Sequence, residues 1–385
     1  MALRRKLDTV LRKFEKTYAT HNLISVSRSA LLHNIGVFER LSGQQVIPVL
    51  KGNAYGHGVQ LVAKALKDRK LAYIAVDGYF EALRIREVSK QPVLIMGAVA
   101  PENFAKLRYD HFAFVVQDEA TIHALGETGK HIKVHLECNT GMNRYGATSG
   151  ELTTLTKLIL RYKNLKLEGV MSHLADADGD DPAAVSQAVA VFDACVEAVH
   201  AAGANPSLIH IAQSAGSLKA HSKYANTVRL GIGTYGINPF PAGHPLHRQL
   251  QNELRPALQL TSTITHIIDL QKGDKVSYNY TFTAPKAMKI GVLPLGYYEG
   301  VNRAFSNTGI VKIGDQFTPI VGRVCMNHTM ISLEGIEAQV GDQVVVYSSD
   351  PSDQNSIDQL AAQHNLFNYN LLTALSPDVR RALVD

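Results

Sequence analysis

The sequence predicts an α/β protein in two parts: a closed (β/α)8 TIM barrel followed by a mostly antiparallel β domain. Three observations carry that prediction. Eight short apolar runs alternate with helical patterns between Ser29 and about Pro239, and repeated βα units of that number favour a barrel over an open doubly wound sheet. No G-x-G-x-x-G opens a helix after the first run, as a dinucleotide fold would require. After Pro241-Ala242-Gly243-His244-Pro245 the pattern changes to alternating segments separated by Gly-Asp turns, the mark of antiparallel strands.

In chain order, Arg4, Arg5 and Lys6 come first, but no apolar core or small-residue cleavage site of a signal peptide follows. Leu3, Leu7, Val10, Leu11, Phe14 and Tyr18 instead recur at helical spacing opposite a basic face. They predict an amphipathic helical extension over residues 1–22, packed on the body of the protein. Leu23-Ile24-Ser25-Val26-Ser27, within 23–28, reads as a strand of the later β domain. The barrel is expected over 29–244, with strands at 46–51, 72–77, 92–97, 112–117, 132–139, 167–173, 208–214 and 227–233. The β domain takes 245–385, with strands at 258–268, 288–295, 309–313, 321–333 and 343–347.

Composition narrows the function. The chain has 385 residues, 45% of them hydrophobic, which allows two domains with ample core. No run approaches the length of a membrane span, so none is expected. The net charge of +5 is spread along the chain, and without a basic stripe interleaved with aromatics no nucleic-acid partner is expected. Cys138, Cys195 and Cys325 are odd in number and lack framework spacing, which fits a reducing compartment and a cytoplasmic location. The acidic run Asp176-Ala177-Asp178-Gly179-Asp180-Asp181 lacks the glycine and the glutamate of a calcium loop, Gln187 standing at the last ligand position. It reads as a solvated loop and helix cap, and no metal site is expected.

Barrel active sites lie at the C-terminal ends of the strands. Those ends supply Lys51, then Glu137 and Asn139 with Arg144 shortly after, His173, Gln213-Ser214, and Arg229 with Gly231-Ile232-Gly233. A charged amine at the exit of a buried strand is costly to hold unless the site needs it. Desolvated, it becomes a nucleophile suited to Schiff bases; alone, such a lysine is also read as a snorkelling surface residue. Tyr55 lies four residues on, one helical turn if a helix has begun, so its hydroxyl reaches the same site. The loops after strands seven and eight usually hold phosphate in this fold. Here they offer Ser214 and the small residues Gly216, Gly231 and Gly233, whose N–H groups can approach an anion.

Taken whole, Lys51-Gly52-Asn53-Ala54-Tyr55-Gly56-His57-Gly58 closely resembles the segment by which alanine racemases hold pyridoxal 5'-phosphate (PLP) as a Schiff base on the lysine. The resemblance extends over nearly the whole chain. His135-Leu136-Glu137-Cys138-Asn139-Thr140-Gly141-Met142-Asn143-Arg144 resembles H-L-x-x-D-T-G-M-x-R, which implies that Arg144 holds the cofactor's phenolic oxygen and the substrate carboxylate. Ser172-His173 resembles the family's S-H pair, and His210-Ile211-Ala212-Gln213-Ser214-Ala215 resembles H-I-A-N-S-A, placing Ser214 on the phosphate. Val228-Arg229-Leu230-Gly231-Ile232 resembles V-R-x-G-I, with Arg229 on the pyridine nitrogen and Gly231 and Ile232 at the cofactor. In the β domain, Lys275-Val276-Ser277-Tyr278 resembles K-V-S-Y, whose tyrosine is the second catalytic base. Gly322-Arg323-Val324-Cys325-Met326 resembles G-R-V-C-M, where Met326 helps bind the carboxylate. Asn368-Tyr369 matches the position of a phosphate-binding tyrosine.

The resemblance implies racemisation of L-alanine to D-alanine for peptidoglycan, with Lys51 and Tyr278 as bases on opposite faces. It further implies that Tyr278 reaches the site of the other subunit of a head-to-tail homodimer, and that His173 assists it. A racemase for serine or another amino acid, or a PLP-binding protein without turnover, would use the same scaffold. Arg229 separates reaction types, because guanidinium has no acceptor and can only donate to a neutral ring nitrogen, which weakens the ring as an electron sink and suits a fleeting carbanion. Four positions depart from the family pattern: Glu137, where many relatives carry a carbamylated lysine, Asn139, Gln213 and Asn327. Glu137 is expected to orient Arg144 directly or through one water.

Overall fold

The structure is a computed structural model and describes residues 18–109 and 111–385. The helix expected over 1–22 lies outside the described residues except for 18–22, which are not helical and lead into strand β1 (Leu23–Ser27). The chain forms two compact units. One comprises Val26–Leu258, Ser349–Ala374 and Leu383–Asp385; the other comprises Gln259–Ser348, Leu375–Ala382 and the segment ending at Ser25. Ser349–Ala374, placed with the β domain by sequence, therefore groups with the barrel. It folds as helices Ile357–Gln363 and Asn368–Thr373 rather than strands.

The first unit is an eight-stranded parallel ring. Its strands are β2 (Gln45–Pro48), β3 (Ile74–Val76), β4 (Val93–Ile95), β5 (Phe112–Val116), β6 (Ile132–Glu137), β7 (Leu165–Met171), β8 (Leu208–His210) and β9 (Thr227–Leu230). Strands β3 to β8 pair in sequence order and β2 pairs with β9 in parallel, Gln45 opposite Thr227. The ring closes through a bridge between Val49 and Ala75, and through Asn226 N–H to Ile209 O and Arg229 N–H to Ala212 O, both 3.0 Å. The ladders stop short of Lys51, His173, Ser214 and Gly233. These four thus stand in segments beyond the ladders, where side chains can face the barrel mouth, whereas Glu137 and Arg229 sit within β6 and β9 opposite Met171 and Ile47.

The covering helices begin where local chemistry predicts. Arg28–Ser42 starts at Ser27, whose side chain accepts the Ala30 N–H, and stops at Gly43 in the left-handed conformation (φ 67°). Ser149–Arg161 carries a Thr148/Glu151 capping box. Pro182–Ala201, the helix after β7, contains a stretch long and apolar enough to cross a bilayer, contrary to the reading that no run approaches that length. It buries Phe192, Cys195, Val196 and Val199, as a barrel helix does.

The second unit is antiparallel wherever its pairing is resolved. A six-stranded sheet runs β16 (Gln316–Pro319), β15 (Ile310–Ile313), β18 (Gln343–Tyr347), β10 (Leu258–Thr263), β1, β19 (Arg380–Val384). A second sheet is β11 (His266–Leu270), β14 (Met288–Leu293) and β17 (Thr329–Ser332). The segment 258–268, expected as one strand, divides between the two sheets. In 321–333 only Thr329–Ser332 is a strand, because Gly322 turns with φ 76° and Cys325 N–H bonds back to His328 O. The Ile313/Gln316 hairpin turns on Gly314-Asp315, with φ 55° at the glycine.

Candidate active site

The segment after β2 is the least ordinary stretch of backbone in the barrel. Gly52, Asn53, Ala54 and Tyr55 all have φ between 49° and 62°, making one turn of left-handed helix. A right-handed turn was the expectation behind placing Tyr55 over Lys51. The structure brings Tyr55 to the same cavity by the opposite hand. Such a conformation costs about 1–2 kcal/mol per non-glycine residue, and stored strain of this kind clusters at functional sites. The turn is closed by Ala54 N–H to Leu50 O (2.8 Å) and Gly56 N–H to Gly52 O (3.0 Å). Asn53 Oδ1 accepts the N–H of Val59 (3.0 Å), the first residue of the next helix.

Lys51, Tyr55, His173, Ser214, Gly231, Ile232 and Tyr369 line one cavity of about 760 Å³ at the C-terminal ends of the strands. Gly52, Asp77, Gly78, Glu81, Gln213, Asn370 and Thr373 complete its walls. Ser214 Oγ accepts the N–H of Gly233 at 3.1 Å, which draws the loops after β8 and β9 together. A Cβ on Gly231 would lie 2.7 Å from Tyr55 Oη, so only glycine lets that hydroxyl and the loop backbone share the space. The Tyr55 ring packs 5.1 Å from Tyr235 and 5.9 Å from Tyr369. Burial, aided by Asp77, pushes the Tyr55 hydroxyl up to about 12, so it serves as a neutral donor.

Beneath the cavity lies a polar line that is buried except where His173 reaches the cavity wall. Arg229, 2% exposed, donates through Nη1 to His210 Nδ1 and O, both 2.8 Å, and through Nη2 to His173 Nδ1 at 3.1 Å. Further donors go to the carbonyls of Ser172 and Ile211. His210 Nε2 meets His135 Nδ1 at 2.8 Å. Because guanidinium only donates, each bond fixes the next tautomer. His210 Nδ1 accepts, so its Nε2–H donates to His135, whose own hydrogen sits on Nε2. His173 Nδ1 likewise accepts, so its Nε2 carries the hydrogen. Burial, with Arg229 adding its charge, lowers His173 to about 3. Burial also lowers His135 to about 3 and His210 well below its ordinary value. All three imidazoles are neutral at ordinary pH. Burial pulls Arg229 itself down to about 10, opposed by Glu137.

The sequence assigned roles to neither His135 nor His210. The signal was present: a histidine within each apolar strand, and Gly169 on β7, where a Cβ would fall 2.2 Å from His135 Nδ1. A strand-interior glycine of that kind makes room for a neighbour.

Glu137 and Arg144 line a small adjoining cavity together with Ser172 and His173. Glu137 is buried, and among the described residues its carboxylate has no hydrogen-bond partner and no ion pair with Arg144. Burial raises its carboxyl, while Arg229 and then Arg144 pull it back. Of the two contacts expected from sequence, direct or through one water, the direct Glu137–Arg144 bond is not formed.

Tyr278 and Met326 belong to the β unit and are described there alone. Both are exposed, and Ser277 ties their segments together by donating to Arg323 O at 2.7 Å and lying 3.4 Å from Cys325 Sγ. Ser277 holds φ 65° and ψ −174°, a region essentially restricted to glycine that costs on the order of 1–3 kcal/mol. Asn327 donates to Glu299 at 2.7 Å.

Residues 26–239 match the family model described as alanine racemase, N-terminal domain, and residues 257–383 match alanine racemase, C-terminal domain. The chain belongs to the alanine racemase family. It is 31% identical to Alanine racemase 2 of Caldanaerobacter subterraneus, over 94% of each chain. With Alanine racemase 1 of Bacillus subtilis it shares 32% identity, over 94% of this chain and 92% of the other. The solved alanine racemase of Bacillus anthracis superposes with a TM-score of 0.86 at 28% identity, covering 96% of both chains. An alanine racemase-family barrel with its β domain is thus the architecture, and amino-acid racemisation the activity class.

Proposed function

We propose that the chain racemises L- and D-alanine with PLP, in a two-base reaction in which Lys51 serves one face of the substrate and Tyr278 of a second copy the other. The observation that carries this reading is the cavity, where a strand-end amine faces a hydroxyl, glycine N–H groups and the neutral His173 above a buried arginine. The lining suits PLP: an amine to bind its aldehyde, Ser214 with the backbone of Gly231 and Ile232 for its phosphate, and Tyr55 and Tyr369 beside them. Bound there, PLP would supply the electron sink that acidifies the amino acid's Cα–H.

The residues perform the rest. Lys51 removes or returns a proton at Cα on one face, and the Tyr278 oxygen does so on the other. Arg229 donates to the carbonyls of His210, Ser172 and Ile211 and, as a guanidinium, does so without giving up its proton at ordinary pH. His173, with Nδ1 committed to Arg229, offers Nε2–H as a neutral donor able to stabilise a phenolate. Arg144 binds carboxylate, and Glu137 balances its charge, without a carbamylated lysine. Product D-alanine would feed peptidoglycan synthesis in the cytoplasm. The test is incubation of the PLP-loaded protein with each L-amino acid and chiral separation of the products. Alanine is expected to racemise fastest, and no racemisation of any amino acid would overturn the reading.

A further inference from the structure

We propose that Glu81 is a positioning residue for Lys51: its carboxylate pins the left-handed turn that directly follows Lys51 to the loop after β3, and so fixes where the amine stands in the cavity. The inference rests on the functional reading above for the role of Lys51, but the clamp itself is independent of it. Glu81 is the third residue of helix Tyr79–Arg86. Its Oε2 accepts the N–H groups of Asp77 (3.2 Å) and Gly78 (3.3 Å), which satisfies donors orphaned at a helix start. That much is capping. Its Oε1 then reaches out of the helix and accepts the N–H of Asn53 at 3.3 Å, a bond that capping does not need.

Asn53 is the right place to hold. Its carbonyl accepts Gly58 N–H at 2.9 Å and its side chain caps the next helix. Its N–H points away from those bonds toward Glu81. Three successive non-glycine residues at positive φ persist only where the surroundings over-determine them. A charged acceptor is about twice as strong as a neutral one. Glu81 also lines the cavity, so the clamp lies on the wall that Lys51 shares.

The test compares Glu81→Ala and Glu81→Gln with the parent. The glutamine keeps the shape but presents N–H donors on one side, so it cannot satisfy both Asn53 and the helix start. Hydrogen exchange is followed on the protein as purified, and kcat and KM on the PLP-loaded enzyme. The amides of 52–58 are expected to exchange at least about tenfold faster while β4 to β7 keep their rates. Turnover should fall about 10- to 100-fold with KM within about threefold, the pattern of a misplaced reacting group. Exchange unchanged over 52–58, acceleration spread evenly over the barrel, or a loss confined to KM would overturn the proposal. If Glu81→Ala does not fold, Glu81→Gln decides by the same readouts. A parent without racemase activity would sink the functional reading and leave the exchange test of the clamp standing.

Discussion

Arg229 Nη2 donates to His173 Nδ1 at 3.1 Å, joining a buried guanidinium to a partly buried imidazole. That bond sets the tautomer of a histidine that lines the cavity, while burial, with the Arg229 charge added, keeps it neutral. Four expected outcomes follow from this arrangement and from the residues around it.

The proposed function makes Lys51 the residue that carries the cofactor. Borohydride reduction of the PLP-loaded protein followed by peptide mapping should place the pyridoxyl mass on Lys51. Label on another lysine would contradict the reading of the cavity.

Tyr278→Phe should impair Cα–H exchange from L-alanine much more than from D-alanine. Removal of a general base costs about 10²- to 10⁴-fold. Equal losses for the two isomers would assign Tyr278 to positioning alone. Mixing Tyr278→Phe with Lys51→Ala chains should restore part of the activity if two copies build each site.

Glu137→Gln keeps the shape and removes the charge near Arg144 and Arg229. It should raise KM and lower turnover, with kcat/KM down roughly tenfold, equivalent to about 1.4 kcal/mol. Careful removal of CO₂ and bicarbonate should leave the parent unaffected. A variant with parental kinetics would refute the role given to this carboxylate.

Acid should destabilise the fold through the buried histidines. His135 and His173 sit at about 3, below their ordinary 6.5, and His210 is lowered too. As pH falls below 6.5 the unfolded chain takes up protons that the folded chain refuses. Stability is thus complete above that value and declines toward pH 3, by up to about 1.4 kcal/mol per pH unit for each histidine. Urea midpoints measured from about pH 8 to about pH 5 should fall on this side only. His135→Asn should flatten the slope by about one proton, and parallel profiles would count against the assignment.

The fold was legible because its signals are local. Apolar runs at βα spacing marked all eight barrel strands, and the Gly-Asp turns marked hairpins such as Ile313/Gln316, since period and turn chemistry are properties of neighbouring residues. The cavity residues Lys51, His173 and Ser214, and Arg229 beneath them, were legible for the same reason, each standing at or near a strand end. Tertiary structure alone decided three other matters. The turn from Gly52 to Tyr55 is left-handed because contacts from elsewhere in the barrel outweigh its intrinsic preference. His135 and His210 join Arg229 because ring closure stacks β6, β8 and β9 side chains in one interior, which no spacing along the chain encodes. Glu137 stands near Arg144 without bonding it, because the strand end buries the carboxylate while Arg144 remains exposed on the following loop. Sequence determined which groups are present and on which elements. Closure of the barrel determined which of them meet, and it is desolvation at those meetings that sets their charge.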